Sequence, residues 1–426
     1  MRHFNLSKYS LLIISLLIAF CLIVFWPVDG QAQQRKRSSS TRKPQSSEPK
    51  ARFVSGNSAL RIPLEIDNNI ILMRVRVNDS EPLRFIFDTG ASASVISPEW
   101  AAKLGLKTEG KVRGTATGGS IEASLIKGVK LSVTGAEVSN QLMAAISFGT
   151  IPCFKFDGII GYDFINQFVV EIDYANSVMN LYEPKSYSYS GKGEVIPLLL
   201  DNRRTPLAAT KILLEGSEPV VANLEVDTGG AGTFVINSPF VEKHKLIEAI
   251  QKTINVSGVG AGGEQKQLVG RVKAAQLGKL LIASPTIGLL RDIEEEGAND
   301  GAEGIIGGEI FRRFKVILDY SRKQMILEPG RSVSEPYEVG MSGINLATDG
   351  KDCTALKIDS VVENSAAAEA GLEPGDLITA IDGTLTSKIS SQQLERLFKQ
   401  HGRVLALTIQ RGAQLLAKRI TLKRLI

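Results

Sequence analysis

Two aspartates stand at the same place in two copies of one short pattern. Asp88 follows the strand-like run 85–87 and precedes Thr-Gly, and Asp227 follows the run 224–226 and also precedes Thr-Gly. Two carboxyls that meet at the ends of facing strands cannot both stay ionised, so they share one proton and titrate as a pair. The ionised member takes a proton from a water molecule while the protonated member hydrogen-bonds a substrate carbonyl. The pattern therefore predicts hydrolysis of an amide bond by water.

The residues that other hydrolytic sites need are scarce or scattered. His3, His244 and His401 lie far apart, which argues against a histidine-based zinc site and against a Ser-His-Asp triad. The three cysteines form neither a CxxC pair nor a disulfide framework. Paired aspartates need no metal and no cofactor, and we predict none. The net charge of +5 over 426 residues gives no indication of nucleic-acid binding.

Four residues beside the aspartates are expected to support them. Thr89 and Thr228 are predicted to hydrogen-bond across the pair and to hold the two loops together. Gly90 and Gly229 have no Cβ, so they are predicted to let the backbone approach the carboxyls closely.

The Asp-Thr-Gly pattern belongs to a longer repeat. Segments that recur in the same order are 62–64 with 196–198, 88–90 with 227–229, 114–119 with 258–263, 157–161 with 303–307 and 168–174 with 314–320. From the aspartates onward the offset grows only from 139 (227 − 88) to 146 (305 − 159), as small loop insertions would produce. Alternating apolar residues, as in 70–77, are typical of strands, and one helix is predicted at 98–106. We predict a duplicated β-rich domain, with a first half at 59–185 and a second half at 194–330 that face each other about a pseudo-two-fold axis.

A glycine-rich stretch follows the aspartate in each half. Gly118 and Gly119 lie in the first stretch, and Gly262 and Gly263 lie in the second. We predict that both stretches are flexible hairpin tips, or flaps, which close over an extended peptide and exclude water. The second stretch lacks the Lys-Ser/Thr of a P-loop, so phosphate binding is not predicted.

The N-terminal region predicts export. The apolar run 11–26 and the small residues that end at Ala32 are typical of a signal peptide over 1–32, and a membrane anchor is the alternative. The segment 33–58 is rich in Gln, Ser, Lys, Arg and Pro, so we predict a disordered tether. A periplasmic or extracellular location follows, with possible membrane anchoring through the apolar run.

Each half resembles a retropepsin-like aspartic peptidase domain. The residues that carry the resemblance are Asp-Thr-Gly-Ala-Ser at 88–92, the glycine-rich flap, and Ile-Ile-Gly-x-Asp at 159–163. The resemblance implies a mostly β protein with two acid-protease β-barrel lobes, and it implies that Asp88 and Asp227 form a catalytic pair.

The second half departs from this family pattern. Ser92 is predicted to donate a hydrogen bond to Asp88, whereas Ala231 at the matching position has no hydroxyl. Gly308-Glu309 also replaces Tyr162-Asp163. These departures motivate an alternative interpretation, a peptide-binding protein that keeps the protease fold without cleaving.

Residues 333–426 resemble a bacterial PDZ domain. The match runs through Asn-Ser-Ala-Ala at 364–367, Ala-Gly-Leu-x-Pro-Gly-Asp at 370–376 and Asp-Gly at 382–383. The resemblance implies an α+β domain that takes a peptide C-terminus as an added strand. The loop that would hold the terminal carboxylate includes Gly343, Ile344 and Leu346.

The predictions combine into an exported aspartic endopeptidase. Its expected partners are protein or peptide substrates and, through the PDZ domain, C-terminal peptides. One chain supplies both aspartates, so a monomer is expected. A homodimer that uses only the first half is the remaining alternative, and it predicts that Asp227 is dispensable.

Overall fold

The structure is a computed structural model, and it describes residues 26–27, 48–116, 119–148, 154–260, 263–291, 301–349 and 355–426. Strands make up 50% and helices 11%, which confirms the predicted mostly-β class. No helix within the described ranges is long and apolar enough to cross a membrane. The predicted signal segment and the predicted tether up to residue 47 lie outside those ranges, apart from residues 26 and 27.

The first half is built from strands and two short helices. In chain order the elements up to its end are β1 Trp26–Pro27, β2 Lys50–Phe53, β3 Ser58–Asp67, β4 Ile70–Val77, β5 Leu83–Phe87, β6 Val95–Ile96, α1 Pro98–Lys103, β7 Thr108–Ala116, β8 Gly119–Val133, β9 Ala136–Ile146, β10 Gly158–Ile160, α2 Tyr162–Ile165, β11 Val169–Asp173 and β12 Val178–Tyr182. The predicted helix at 98–106 is present as α1. It begins where Ser97 accepts a hydrogen bond from the Trp100 N–H and where Pro98 takes the first helical position.

The second half has a similar order of elements, with one more short helix and additional short strands. Its elements are β13 Glu194–Pro197, β14 Leu199–Leu200, β15 Pro206–Leu213, β16 Val220–Val226, β17 Phe234–Ile236, α3 Ser238–Lys243, α4 Leu246–Ala249, β18 Thr253–Gly260, β19 Gly263–Arg271, β20 Ala274–Leu277, β21 Leu280–Ala283, β22 Thr286–Leu290, β23 Gly304–Ile306, α5 Gly308–Phe311, β24 Phe314–Asp319 and β25 Gln324–Pro329. In each half a short strand of Gly-Ile-Ile runs parallel to the strand that leads into the aspartate. These pairs are β10 with β5 and β23 with β16.

One sheet joins the two halves. It has 15 strands, and we call its stretch of six neighbouring strands in the order β3-β12-β11-β24-β25-β13 the junction sheet. At its centre Val170 lies opposite Leu318 and Ile172 lies opposite Val316. In the sequence repeat 170 matches 316 and 172 matches 318, so Val170 pairs with the counterpart of Ile172, and Ile172 pairs with the counterpart of Val170. This reciprocal register is the relation that a two-fold axis imposes. It supports the predicted pseudo-symmetry.

The predicted tether is wrong from Lys50 onward. Residues 50–53 form β2, which pairs antiparallel with β9, and the Phe53 ring packs 5.5 Å from the Phe168 ring. The prediction was based on polar composition. It missed that a short segment gains backbone hydrogen bonds and burial of one aromatic ring when a sheet edge is available to it.

The C-terminal domain is a separate sheet with two short α-helices. Its elements are β26 Ile344–Asp349, β27 Ala355–Val361, α6 Ala366–Glu369, β28 Leu377–Ile381, β29 Thr384–Leu385, the 3₁₀ helix η1 Thr386–Lys388, α7 Ser391–Phe398, β30 Val404–Arg411 and β31 Gln414–Thr421. Leu394 and Phe398 of α7 pack against Ile344 and Leu346 of β26 in its core. Within the described ranges β26 pairs only with β27, so it is an edge strand.

A buried arginine anchors the segment that leads from β25 to this domain. Arg313 has no exposed surface, and its guanidinium lies 3.6 Å from the centroid of the Tyr337 ring. It donates to Glu309 Oε1 at 2.8 Å and to the carbonyl oxygens of Ser332 and Pro336 at 3.2 Å each. The linking segment is therefore wrapped around a side chain of the second half.

Candidate active site

The two aspartates occupy matching places at the ends of β5 and β16. The Asp88 N–H donates to the Ile160 carbonyl at 3.0 Å, and the Asp227 N–H donates to the Ile306 carbonyl at 3.0 Å. Both aspartates are fully buried. In each half the backbone hydrogen bond from the aspartate to the last residue of the parallel Gly-Ile-Ile strand extends the sheet pairing by one residue. The two aspartate loops therefore begin at equivalent positions of their halves.

The two loops face each other at close range. A Cβ built on Gly229 would lie 2.5 Å from Asp88 Oδ2, so a larger residue at this position would collide with the other carboxyl. Asp88 Oδ1 accepts from the N–H groups of Gly90 at 2.8 Å and Ala91 at 3.2 Å. Asp227 Oδ1 accepts from the Gly229 N–H at 2.8 Å. One oxygen of each carboxyl is thus fixed by its own loop.

The electrostatics of the site favour a shared proton. Burial raises the pKa of Asp88 well above its usual range, and the charge of Asp227 and a side-chain hydrogen bond with it raise this pKa further. Asp88 Oδ2 is buried and receives no hydrogen bond from a donor of the described residues. The adjacent Asp227 carboxyl can donate to it only when one of the two carries a proton. The geometry therefore favours a pair with one proton over two ionised carboxylates.

Two threonines bind the loops together. The Thr89 N–H donates to Thr228 Oγ1 at 3.1 Å, and the Thr228 N–H donates to Thr89 Oγ1 at 3.0 Å. Each hydroxyl then donates to the opposite half, Thr89 to the Val226 carbonyl at 2.5 Å and Thr228 to the Phe87 carbonyl at 2.9 Å. The cross-connection predicted from the sequence is present, and it is reciprocal.

We expect Thr228→Val to destabilise the protein by about 2–4 kcal/mol. The change leaves the Thr89 N–H and the Phe87 carbonyl buried without their partner, and each such group costs about 1–3 kcal/mol. Urea unfolding followed by circular dichroism measures the loss. Thr228→Ser keeps the hydroxyl and serves as the control. Equal stability of the Val and Ser variants would contradict the role of the hydroxyl.

A polar contact between Ser94 and Asp163 in the first half was not predicted from the sequence. Asp163 Oδ1 accepts from the Ser94 N–H at 2.9 Å and from the Ser94 hydroxyl at 2.7 Å, which ties α2 to the Asp88 loop. Ser92, which was predicted to donate to Asp88, lies half-buried in the same loop. Its donation to Asp88 stays a prediction.

In the second half Glu309 takes the place of Asp163 and forms different contacts. The Asn69 amide of the first half donates to Glu309 Oε2 and to the Ala231 carbonyl, both at 3.0 Å. Burial raises the pKa of Glu309, but hydrogen bonds from Arg312 and the surrounding cations outweigh burial and lower it to about 2. The second loop is therefore held from the opposite half, through a residue that the sequence did not single out.

The stability of the protein is expected to fall as pH rises through the range in which Asp163 should ionise. Burial raises the pKa of Asp163 to about 6 despite its hydrogen bonds. Between the pKa near 3.9 of an unfolded Asp and about 6, the folded state keeps a proton that the unfolded state has lost. Stability from this group is complete below pH 4, is lost between pH 4 and pH 6, and stays lower by about 3 kcal/mol above pH 6.

Asp163→Asn should remove this part of the pH dependence. The amide oxygen can still accept from Ser94, and the side chain no longer titrates. Urea unfolding at pH 4 and pH 7 measures the change in the free energy of unfolding for parent and variant. Asp79→Asn, on an exposed turn, is expected to follow the parent. A variant that loses as much stability as the parent between the two pH values would contradict the assignment.

Both predicted flaps are hairpins. β7 pairs with β8 and β18 pairs with β19, both antiparallel. Gly119 and Gly263 begin the returning strands, whereas Gly118 and Gly262 lie outside the described residues. The closing of these hairpins over a peptide stays a prediction.

The predicted peptide-binding loop of the C-terminal domain lies beside β26. Gly343 has φ +75°, and a Cβ there would meet the side chain of Ser365, so this position needs glycine. The side chains of Ile344 and Leu346 are buried, at 3% and 0% exposed. What they can offer a peptide is therefore their backbone on the edge strand.

Comparison with known families gives two matches. A family described as aspartyl protease matches residues 73–164, which include Asp88 and the segment 159–163. A family described as PDZ domain matches residues 357–411, which include α6 and α7. The chain contains an aspartyl protease domain and a PDZ domain.

The aspartyl protease match stops at the end of the first half. Asp227 and its surroundings are therefore assigned by the sequence repeat and by geometry alone. Comparison with curated proteins gives no significant match. The two matched domains together indicate a protease that carries a peptide-binding domain.

Proposed function

We propose that this protein is an aspartic endopeptidase in which Asp88 and Asp227 share one proton and activate a water molecule. The observation that carries the proposal is the contact of the two loops, in which Asp88 Oδ2 lies against Gly229 and next to the Asp227 carboxyl. The family match of the first half to an aspartyl protease supports the same reaction.

The proposed chemistry uses the outer oxygen, Oδ2, of each carboxyl. The ionised carboxylate removes a proton from water, and the protonated partner donates a hydrogen bond to the carbonyl oxygen of the substrate. The new C–O bond forms a tetrahedral intermediate. When the C–N bond breaks, the proton taken from water passes to the departing amine. Asp88 Oδ1 and Asp227 Oδ1 stay bound to backbone N–H groups, which keeps the outer oxygens oriented.

The PDZ domain is proposed to bring protein substrates or partners to the protease domain through their C-termini. Within the described residues the edge strand β26 pairs only with β27, so its other edge is the proposed place for an added peptide strand. The domain also lies next to the second aspartate loop, because one small cavity is lined by Ala231 and Gly232 on one side and by Gly340 and Lys399 on the other. A captured chain end would therefore be held close to the site.

Export to the periplasm or the extracellular space is also proposed. It rests on the apolar run 11–26 and the small residues up to Ala32. A monomer is proposed because one chain carries both aspartates. Mass spectrometry of the mature N-terminus tests the first point, and a terminus at Gln33 is the expected result.

Incubation with an unfolded protein between pH 3 and pH 8 tests the proposed activity. New peptide termini detected by mass spectrometry are expected from the parent protein, and a statine-containing peptide inhibitor is expected to suppress them. The absence of a hydroxyl at Ala231 favours the alternative, a peptide-binding protein without cleavage. That alternative predicts saturable peptide binding with no new termini at any pH.

A further inference from the structure

A third carboxyl lies on the strand that leads into the second aspartate. Glu225 stands two residues before Asp227 on β16, so both side chains are on the same face of the strand. Glu225 lies opposite Ile305 of the parallel strand. Its counterpart in the first half is Ile86, which lies opposite Ile159 in the same way. The two halves therefore differ next to the aspartates, with a carboxyl on one side and an apolar residue on the other.

Glu225 is enclosed by other parts of the fold. Its side chain is 1% exposed, and Oε1 receives no hydrogen bond from the described residues. Arg203, in the turn before β15, places Nη2 4.0 Å from Glu225 Oε2. The same arginine donates from Nε to Asp201 Oδ2 at the shorter distance of 2.9 Å. The positive charge is therefore shared with a closer carboxylate and only partly compensates Glu225.

The titratable groups around Glu225 come from three directions. Arg203 and Asp201 approach from the turn before β15, and Asp227 directly follows β16, the strand of Glu225. The buried phenol of Tyr320, just after β24, and the Asp88 carboxyl of the first half also feel the charge of Glu225. Glu225 is thus coupled to both aspartates of the pair.

The direction of this coupling is fixed by the sign of the charges. Burial raises the pKa of Glu225 well above its usual range, Arg203 lowers it, and Asp227 raises it again. The charge of Glu225 in turn is among the causes that raise the pKa of Asp88. Such coupling is reciprocal, so an ionised Glu225 makes removal of the shared proton harder.

We propose that Glu225 is a positioning residue on the strand that leads into Asp227, and that its carboxylate, once it ionises, makes the proton shared by Asp88 and Asp227 harder to remove. The inference rests on the proposed aspartic peptidase function. It would extend the working range of the enzyme toward neutral pH, because the pair is active only while it holds one proton.

The pH dependence of kcat/KM tests this proposal in the full chain. A fluorogenic peptide made from a cleavage site mapped in the unfolded protein serves as substrate between pH 3 and pH 8. Glu225→Gln removes the charge at nearly constant size, and Glu225→Ile introduces the residue of the first half. Both variants are expected to move the alkaline limb to lower pH, by on the order of one pH unit. The control Glu218→Gln, on an exposed turn before β16, is expected to keep the parent profile.

The outcomes separate this inference from the function on which it rests. A parent that cleaves, with Glu225 variants that share its alkaline limb or move it to higher pH, overturns the inference alone. A parent that neither cleaves nor binds the statine-containing inhibitor overturns the proposed function and the inference together. If Glu225→Ile unfolds, thermal unfolding identifies this, and the profile of Glu225→Gln decides.

Discussion

Asp88→Asn and Asp227→Asn are each expected to lower kcat for cleavage of an unfolded protein by about 10²–10⁴-fold. An amide can neither accept the proton of the attacking water nor supply the proton that the substrate carbonyl needs. Both aspartates take part in the same two proton transfers, so either change should be sufficient. Release of new peptide termini, followed over time at acidic and neutral pH, measures the loss.

The stability of the same variants provides an independent check. Asp88 is fully buried, and burial favours its protonated form. At neutral pH the fold must hold this proton against the tendency of the unfolded chain to release it. A neutral amide removes that cost, so we expect Asp88→Asn to be at least as stable as the parent at pH 7. Loss of cleavage together with full stability excludes misfolding as the cause.

Asp163→Asn is the matched control for the paired aspartates. It replaces another buried carboxyl, which accepts a hydrogen bond from Ser94 beside the Asp88 loop, and the variant should still cleave. Equal cleavage by the parent and both Asn variants of the pair would contradict the mechanism. A silent Asp227→Asn with an inactive Asp88→Asn would instead favour a homodimer that uses only the first half.

Arg313→Met is expected to destabilise the second half by about 3–5 kcal/mol. The guanidinium is fully buried between the Tyr337 ring and Glu309, and it also satisfies carbonyl groups of the linking segment. Without it the Glu309 carboxylate is left in a buried position with fewer partners. The segment after β25 also loses the donors that hold it. Urea unfolding measures the first effect, and limited proteolysis between 330 and 338 measures the second.

Two further variants make this prediction specific. Arg331→Met changes an exposed arginine of the same segment, and we expect little effect on either readout. The double variant Glu309→Gln with Arg313→Met should regain part of the lost stability. It removes the buried negative charge of Glu309, which has lost one of its cationic partners in Arg313→Met. If Arg313→Met unfolds like Arg331→Met, the buried contact does not hold the linking segment.

The sequence predicted those features of the fold whose sequence pattern occurs in both halves. The Asp-Thr-Gly copies, the Gly-Ile-Ile strands and the matched segments 168–174 and 314–320 carry the same pattern in both halves. The mostly-β class and the hairpins follow from that pattern. The reciprocal register of β11 with β24 also agrees with it, because two antiparallel strands of similar sequence can pair reciprocally about a local two-fold axis.

The features that the sequence missed occur once and depend on contacts across long sequence distances. Asn69 stands in an ordinary Asn-Asn turn, and only the folded chain brings its amide to Ala231. Glu225 occupies an alternating strand in which a charged residue normally indicates an exposed face. It is buried because the turn that carries Arg203 covers it. No local pattern contains that information.

The junction sheet determines when the site can exist during synthesis. Its central strand β11 has finished by residue 173, but its partner β24 begins only at Phe314. A growing chain must therefore emerge from the ribosome almost to the end of the second half before the junction sheet can bring the two aspartate loops into contact. Contacts so distant in sequence form late and slowly. A nascent chain that ends between residues 227 and 314 would carry both aspartates without the strand that joins the two halves, so the proposed activity is expected only once the chain is nearly complete.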